Sequence, residues 1–141
     1  MTKIFKVRAL VLDADGSALA IEADAAHVLQ LPGGSRKAAE CPIKALRREM
    51  REELGHTVRI VRHVGQHAVK RNGAKEITDF FVVQIKGGHG RPSLTGREAA
   101  RGLRVCRYDS PRALRKALKK RVKAHGRSAA QRDLTLVSLA L

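Results

Sequence analysis

The stretch from Gly34 to Gly55, GSRKAAECPIKALRREMREELG, constrains this chain more than any other. Glu49, Glu52 and Glu53 stand at i, i+3 and i+4 in a strongly helical segment. A helix turns about 100° per residue, so the three carboxylates leave it from one side. Like charges at that spacing repel and weaken an isolated helix. A cation over them resolves the conflict, and a divalent metal that prefers oxygen ligands, Mg²⁺ or Mn²⁺, is the natural one. The same segment, Cys41 to Leu54, carries an apolar stripe at Ile43, Leu46, Met50 and Leu54. The stripe lies roughly 110° around the helix from the glutamates. One helix can therefore bury one side and present carboxylates on another. Pro42 suits the first helical position, with Cys41 as a weak cap, and Gly55 suits the end.

The flanking sequence predicts strands. Lys3 to Asp13, Ser17 to Glu22 and His27 to Leu31 precede the helix, with a turn at Asp15-Gly16 and a stop at Pro32-Gly33-Gly34. Val58 to Val69 and Ile77 to Ile85 follow it, joined through the hairpin signal Asn72-Gly73. The near-continuous apolar run ITDFFVVQI predicts a central strand. Gly87 to Gly102 reads as a Gly-rich loop and Leu103 to Tyr108 as a last strand. Ser110-Pro111 starts a helix with the stripe Leu114, Leu118 and Val122, ended at Gly126. Ala130, Leu134, Val137 and Leu141 have helical spacing, although LTLVSLAL also reads as an extended segment. Strands and helices mix as in an α/β or α+β layered domain, and 141 residues without repeat or linker fit one domain, 1–141.

Charge narrows the partners. Twenty-nine Lys and Arg oppose 13 Asp and Glu, a net of +16. Such a surface attracts polyanions, or simply keeps a protein in solution. From Ser110 to Leu141 there are nine Lys and Arg against one Asp, half of the net charge. Aromatics are only 3%, too few for a stacking platform for single-stranded nucleic acid. No apolar run is long enough for a membrane span, and MTKIFKVRAL lacks the features of a signal peptide. The expected location is the cytoplasm, without membrane contact and with Cys41 and Cys106 as unpaired thiols. The six histidines, at 27, 56, 63, 67, 89 and 125, show no metal-ligand spacing. His63 and His67, four apart on an expected strand, would share a face without a third ligand.

Gly34, Glu40, Arg48, Glu49, Met50, Glu52, Glu53 and Gly55 fit the pattern G-x5-E-x7-R-E-U-x-E-E-x-G-U, where U is a bulky aliphatic residue. This resembles the signature of the Nudix hydrolases. Arg47, Arg48 and Arg51 beside the three glutamates would, on the helix alone, read as a solvated ion-paired face. The register of Gly34, Glu40 and Gly55 decides against that. Three positions depart from the family. His56 replaces the final aliphatic residue, with Val58 as substitute packing. Ala39 stands where many members have Gly. Val105 stands where many have Trp, ahead of Tyr108-Asp109.

The resemblance implies an α/β/α sandwich with a mixed sheet, a catalytic loop-helix and a C-terminal helix. It implies hydrolysis of a phosphoanhydride bond in a nucleoside diphosphate-linked substrate, by water attack at phosphorus. Glu49, Glu52, Glu53 and the Gly34 carbonyl would be metal ligands, with either Glu52 or Glu53 alternatively orienting or deprotonating the water. Arg48 would orient a carboxylate, and Glu40 would support it near the loop. The base varies within the family and often comes from a later loop; Glu98 is the first candidate here and Glu76 the second. The implied partner is an anionic nucleotide-type molecule, with RNA or polyphosphate contact through the basic surface, in a monomer or homodimer. The competing expectation is a basic nucleic-acid-binding module on the same fold without catalysis.

Overall fold

The computed structural model describes residues 2–23, 28–93, 102–125 and 129–141. Within them lie seven strands and three helices in the order β1 (Thr2–Leu12), β2 (Ala18–Ala23), β3 (Val28–Gln30), β4 (Gly33–Ser35), α1 (Pro42–Leu54), β5 (His56–Arg71), β6 (Ala74–Gly88), β7 (Arg104–Tyr108), α2 (Pro111–His125) and α3 (Ala129–Ala140). The strands form one mixed sheet, ordered β3-β2-β1-β6-β5, with β4 added to β1 and β7 to β2. β1 and β6 run parallel through its centre, and every other pair is antiparallel. The central place of the ITDFFVVQI strand is thus as the sequence predicts.

Alternation along the strands divides the core into two layers. Val7, Ala9 and Val11 of β1, with Phe81 and Val83 of β6, pack against Ala45, Leu46, Met50 and Leu54 of α1. Leu10, Phe80 and Val82 point the other way, onto Leu114 and Leu118 of α2 and Leu136 and Val137 of α3. The result is a sheet covered by helices on both faces. Among the described residues no helix is long and apolar enough to cross a membrane.

Several details differ from expectation. Ile43 is 43% exposed, and Ala45 takes its place in the buried stripe of α1. Pro32-Gly33-Gly34 does not merely stop a strand, because Gly33 to Ser35 turn back and pair with Arg8, Val7 and Lys6. Only glycine fits at position 33, where a Cβ would lie 2.0 Å from the Val7 carbonyl oxygen. Of its two readings, the last segment takes the helical one that the spacing favours. Its buried side includes Arg132, Asp133 and Leu136, while Leu141 is exposed. β5 carries register shifts at Thr57/Val58, Ile60/Arg62 and His63/Gly65. Consequently His63 pairs with Phe81 and His67 with Thr78, three apart on β6, so the two histidines lie on opposite faces instead of one. His27 and Gly126 are outside the described residues.

Candidate active site

The glycine turn and α1 meet at the edge of β1. Cys41 caps α1 only through extended backbone geometry, without a side-chain bond, and Pro42 begins the helix. Gly55 ends it in the left-handed conformation, its N–H reaching the Arg51 and Met50 carbonyls. Burial of Leu46 and Met50 fixes the helix rotation, and this turns Glu49 and Glu53 toward Gly33 and Gly34.

Arg48 is the centre of the polar cluster. Its Nε and Nη2 donate to the two carboxylate oxygens of Glu40 at 2.9 and 3.0 Å, a bidentate pair. Nη1 donates to Glu49 Oε1 at 3.0 Å and to Glu52 Oε2 at 3.3 Å. Nη2 also reaches the Ser35 carbonyl at 3.0 Å, which ties the helix to β4. The Arg48 pair, aided by the Lys37 N–H, holds the Glu40 carboxyl at a pKa of about 2. The same pair to Glu40, with Glu49 beside it, raises the Arg48 guanidinium above its ordinary value against the opposing effect of burial.

The three helix glutamates are not equivalent. Glu49 and Glu53 are buried, at 7% and 4% exposure. The Glu52 side chain is 41% exposed. Glu53 Oε1 accepts the Gly33 N–H at 2.6 Å. A Cβ on Gly34 would sit 2.5 Å from Glu49 Oε1, so the bare backbone there is what admits the carboxylate. Beyond the helix, the Ser93 N–H donates to the Glu52 carbonyl at 2.6 Å and the Gly90 N–H to the Gly55 carbonyl at 3.0 Å. The loop after β6 is thereby fastened over the C-terminal end of α1.

Among the described residues, no three His, Cys, Asp or Glu side chains close around a common point as a metal cage would. The Arg48 guanidinium stands between Glu49 and Glu52 and holds them instead. The donor set still suits a hard divalent cation: every candidate ligand is oxygen, two carboxylates are buried, and the Gly34 backbone lies against one of them.

The structure thus gathers Gly34, Glu40, Arg48, Glu49, Glu52 and Glu53 into one place. Glu98 lies outside the described residues. Glu76 is not at this site. It is buried under α3, bound to Arg132 Nη1 at 3.0 Å and 3.7 Å from Lys6 Nζ. Val105 packs against the α1 layer and pairs with Ile21. Val58 is buried in that layer, while His56 turns its Nδ1 to the Gly87 carbonyl at 3.0 Å. Sequence reasoning missed Arg8 and Asp133, which hold the glycine turn from the opposite face. A signal for the second was present: Asp133 is the lone acid in the basic stretch from Ser110 to Leu141.

Comparison with known proteins agrees with this picture. The model of the NUDIX domain family matches residues 3–129. A search of curated proteins found no match. Among solved structures, the chain is similar to a NUDIX hydrolase from Nitrosomonas europaea, with a TM-score of 0.73 and 20% identity over 99% of this chain and 90% of that one. It is also similar to the E. coli ORF135 protein, with a TM-score of 0.68 and 23% identity over 99% and 89%. A UDP-X diphosphatase aligns with a TM-score of 0.66 and 14% identity, over 99% of this chain and 61% of that one.

Proposed function

The chain belongs to the NUDIX family of pyrophosphate-bond hydrolases, and from that premise we propose that it is a Mg²⁺- or Mn²⁺-dependent hydrolase of a nucleoside diphosphate-linked substrate. One observation carries the reading: Arg48 ties Glu40, Glu49 and Glu52 together against the turn whose Gly33 N–H holds Glu53. A structural neighbour described as a UDP-X diphosphatase supports the substrate class.

Glu49, Glu52, Glu53 and the Gly34 carbonyl are the residues that would hold the metal. When bound, such a metal supplies charge neutralisation at the phosphate oxygens and lowers the pKa of water. The chain's own part is to arrange the carboxylates. Arg48 orients Glu49 and Glu52, and Glu40 in turn fixes the guanidinium plane by its bidentate pair. Glu52, the most exposed of the three, or Glu53, held by the Gly33 N–H, orients or deprotonates the attacking water. Glu98 is our first candidate for a separate base, from its place in the sequence stretch Gly87 to Gly102 that follows the glutamate helix and hairpin. The working unit is a single domain over 1–141. We place it in the cytoplasm, where Cys41 and Cys106 stay as thiols.

The second reading is nucleic-acid binding without catalysis. Arg112, Lys116, Lys119, Lys120 and Lys123 are exposed along α2 at helical spacing, and this favours it. A pure binder, however, gains nothing from buried carboxylates that repel phosphate.

The test is a panel of nucleoside diphosphate derivatives with Mg²⁺ or Mn²⁺, with products separated by ion exchange. Glu52→Gln and Glu53→Gln are each expected to lower kcat by about a hundredfold or more. Full activity in both variants sinks the site assignment. A wild type that hydrolyses nothing on the panel yet binds RNA tightly favours the second reading.

A further inference from the structure

The turn that carries Gly33 and Gly34 is held from beneath by charges that the family signature does not contain. Asp133 of α3 is fully buried, and its Oδ2 accepts the Leu31 N–H at 2.8 Å. Its Oδ1 accepts Arg132 Nε at 2.8 Å, and Arg132 Nη1 donates onward to Glu76 at 3.0 Å. Arg8 of β1 is buried beside them. Its Nη1 donates to the Leu31 carbonyl at 2.9 Å and to the Gly33 carbonyl at 3.2 Å. Between these, the Pro32 carbonyl accepts the Ala9 N–H at 3.1 Å. Every carbonyl from Leu31 to Gly33 is therefore fixed, and the Gly33 N–H points at Glu53 Oε1, 2.6 Å away.

We propose that Arg8 and Asp133 form a buried clamp of positioning residues. The clamp sets the Leu31–Gly34 turn and, through the Gly33 N–H, the Glu53 carboxylate. The inference rests on the hydrolase reading for the role of Glu53, and goes beyond it by assigning a task to the layer behind the sheet. The family match ends at residue 129, so Asp133 acts from outside the matched region.

The physical argument turns on what a buried charge is for. Charges taken from water are costly, and well-packed apolar residues of similar size often serve stability as well or better. What a guanidinium and a carboxylate add is directed hydrogen bonding to particular backbone atoms. Here those atoms belong to the turn against which Glu49 and Glu53 lie. Burial and the neighbouring Arg132 lower the Arg8 pKa, while Asp133, Glu53 and Glu49 all oppose that fall. Arg8 thus lies within the fields of both the clamp and the site.

The experiment compares wild type with Arg8→Gln, the gentler Arg8→Lys, Asp133→Asn, and Leu118→Ala. The last loses core packing in the same buried cluster, to which Leu31 also belongs, but makes none of the hydrogen bonds that hold the turn. Two readouts need no turnover: the Gly33 amide resonance in metal-free protein, and Mn²⁺ affinity by calorimetry. Arg8→Gln is expected to move the Gly33 resonance and weaken Mn²⁺ binding by about tenfold or more, with kcat falling and KM little changed. Arg8→Lys and Asp133→Asn are expected to fall between Arg8→Gln and wild type. Leu118→Ala is expected to lower thermal stability while leaving the Gly33 resonance and Mn²⁺ affinity as in wild type. An unmoved Gly33 resonance in Arg8→Gln overturns the clamp. So does a Leu118→Ala variant that loses as much Mn²⁺ affinity for the same drop in stability. If Glu52→Gln and Glu53→Gln both keep full hydrolysis, the site reading fails, and the Gly33 resonance alone then decides the clamp.

Discussion

Single residues at the site show how cost and use are balanced. Ala39 adopts a φ of 67° on the approach to Glu40, a conformation that suits glycine. The backbone takes this shape although the residue that would relieve it is absent. The strain of an L residue there is about 1–2 kcal/mol. Glycine would add about 0.4–1 kcal/mol of chain entropy to the unfolded state. Ala39→Gly is therefore expected to stabilise the protein by about 0.5–1 kcal/mol, read as a rise in the urea midpoint; a fall in the midpoint contradicts the account. Glu40 makes a second case. Its carboxyl titrates at about 2 in the fold against 4.5 ordinarily. A depressed carboxylate contributes stability above its unfolded pKa and loses it as pH falls toward its folded one. The stability difference between wild type and Glu40→Gln should thus be largest near neutrality and shrink between about 4.5 and about 2. Urea melts across that range check it, and a gap that widens toward acid refutes it.

At the scale of elements, α1 and the central strands were legible because their signals are local. Leu46, Met50 and Leu54 sit on one helical face, and they are buried as the spacing predicts. Ile43 shares the spacing but lies in the first turn, where it borders an open pocket with His63, Asp79 and Phe81 of the sheet, and stays exposed. The carboxylate cluster was legible for the same reason, since Arg48 reaches Glu49 and Glu52 within the helix and Glu40 just before it. The pairing of β4 with β1 was not. It depends on Gly33 and Gly34 meeting Arg8 and Val7 across a long separation, and a Pro-Gly-Gly string is equally well a turn. The polar side of α3 was hidden by its context. A lone acid among cations looks solvated until the fold brings the Leu31 N–H to it. Of the bulges of β5 only the one at His63/Gly65 has a residue signal, the lone Gly65, and that shift alone separates His63 from His67.

For the whole molecule, charge and shape act together. The net +16 is not spread evenly, and α2 carries seven Lys and Arg with no Asp or Glu. Exposed charge of this kind acts over roughly a Debye length and fades with salt. For a polyanionic substrate, KM is expected to rise severalfold between about 50 and 200 mM salt while kcat changes little. Steady-state kinetics across that range test it, and a salt-independent KM would leave the basic helix without influence on substrate capture. The outer strand of the sheet has a consequence of another kind. β5 is long and borders solvent, which ordinarily invites a second strand to add on and seed fibres. Its three register shifts break the row of evenly spaced donors and acceptors, and exposed Arg59 and Arg62 stand beside two of them. An incoming strand finds neither a matching ladder nor a neutral surface. This interrupted edge is expected to guard a concentrated solution of the protein against amyloid-like growth.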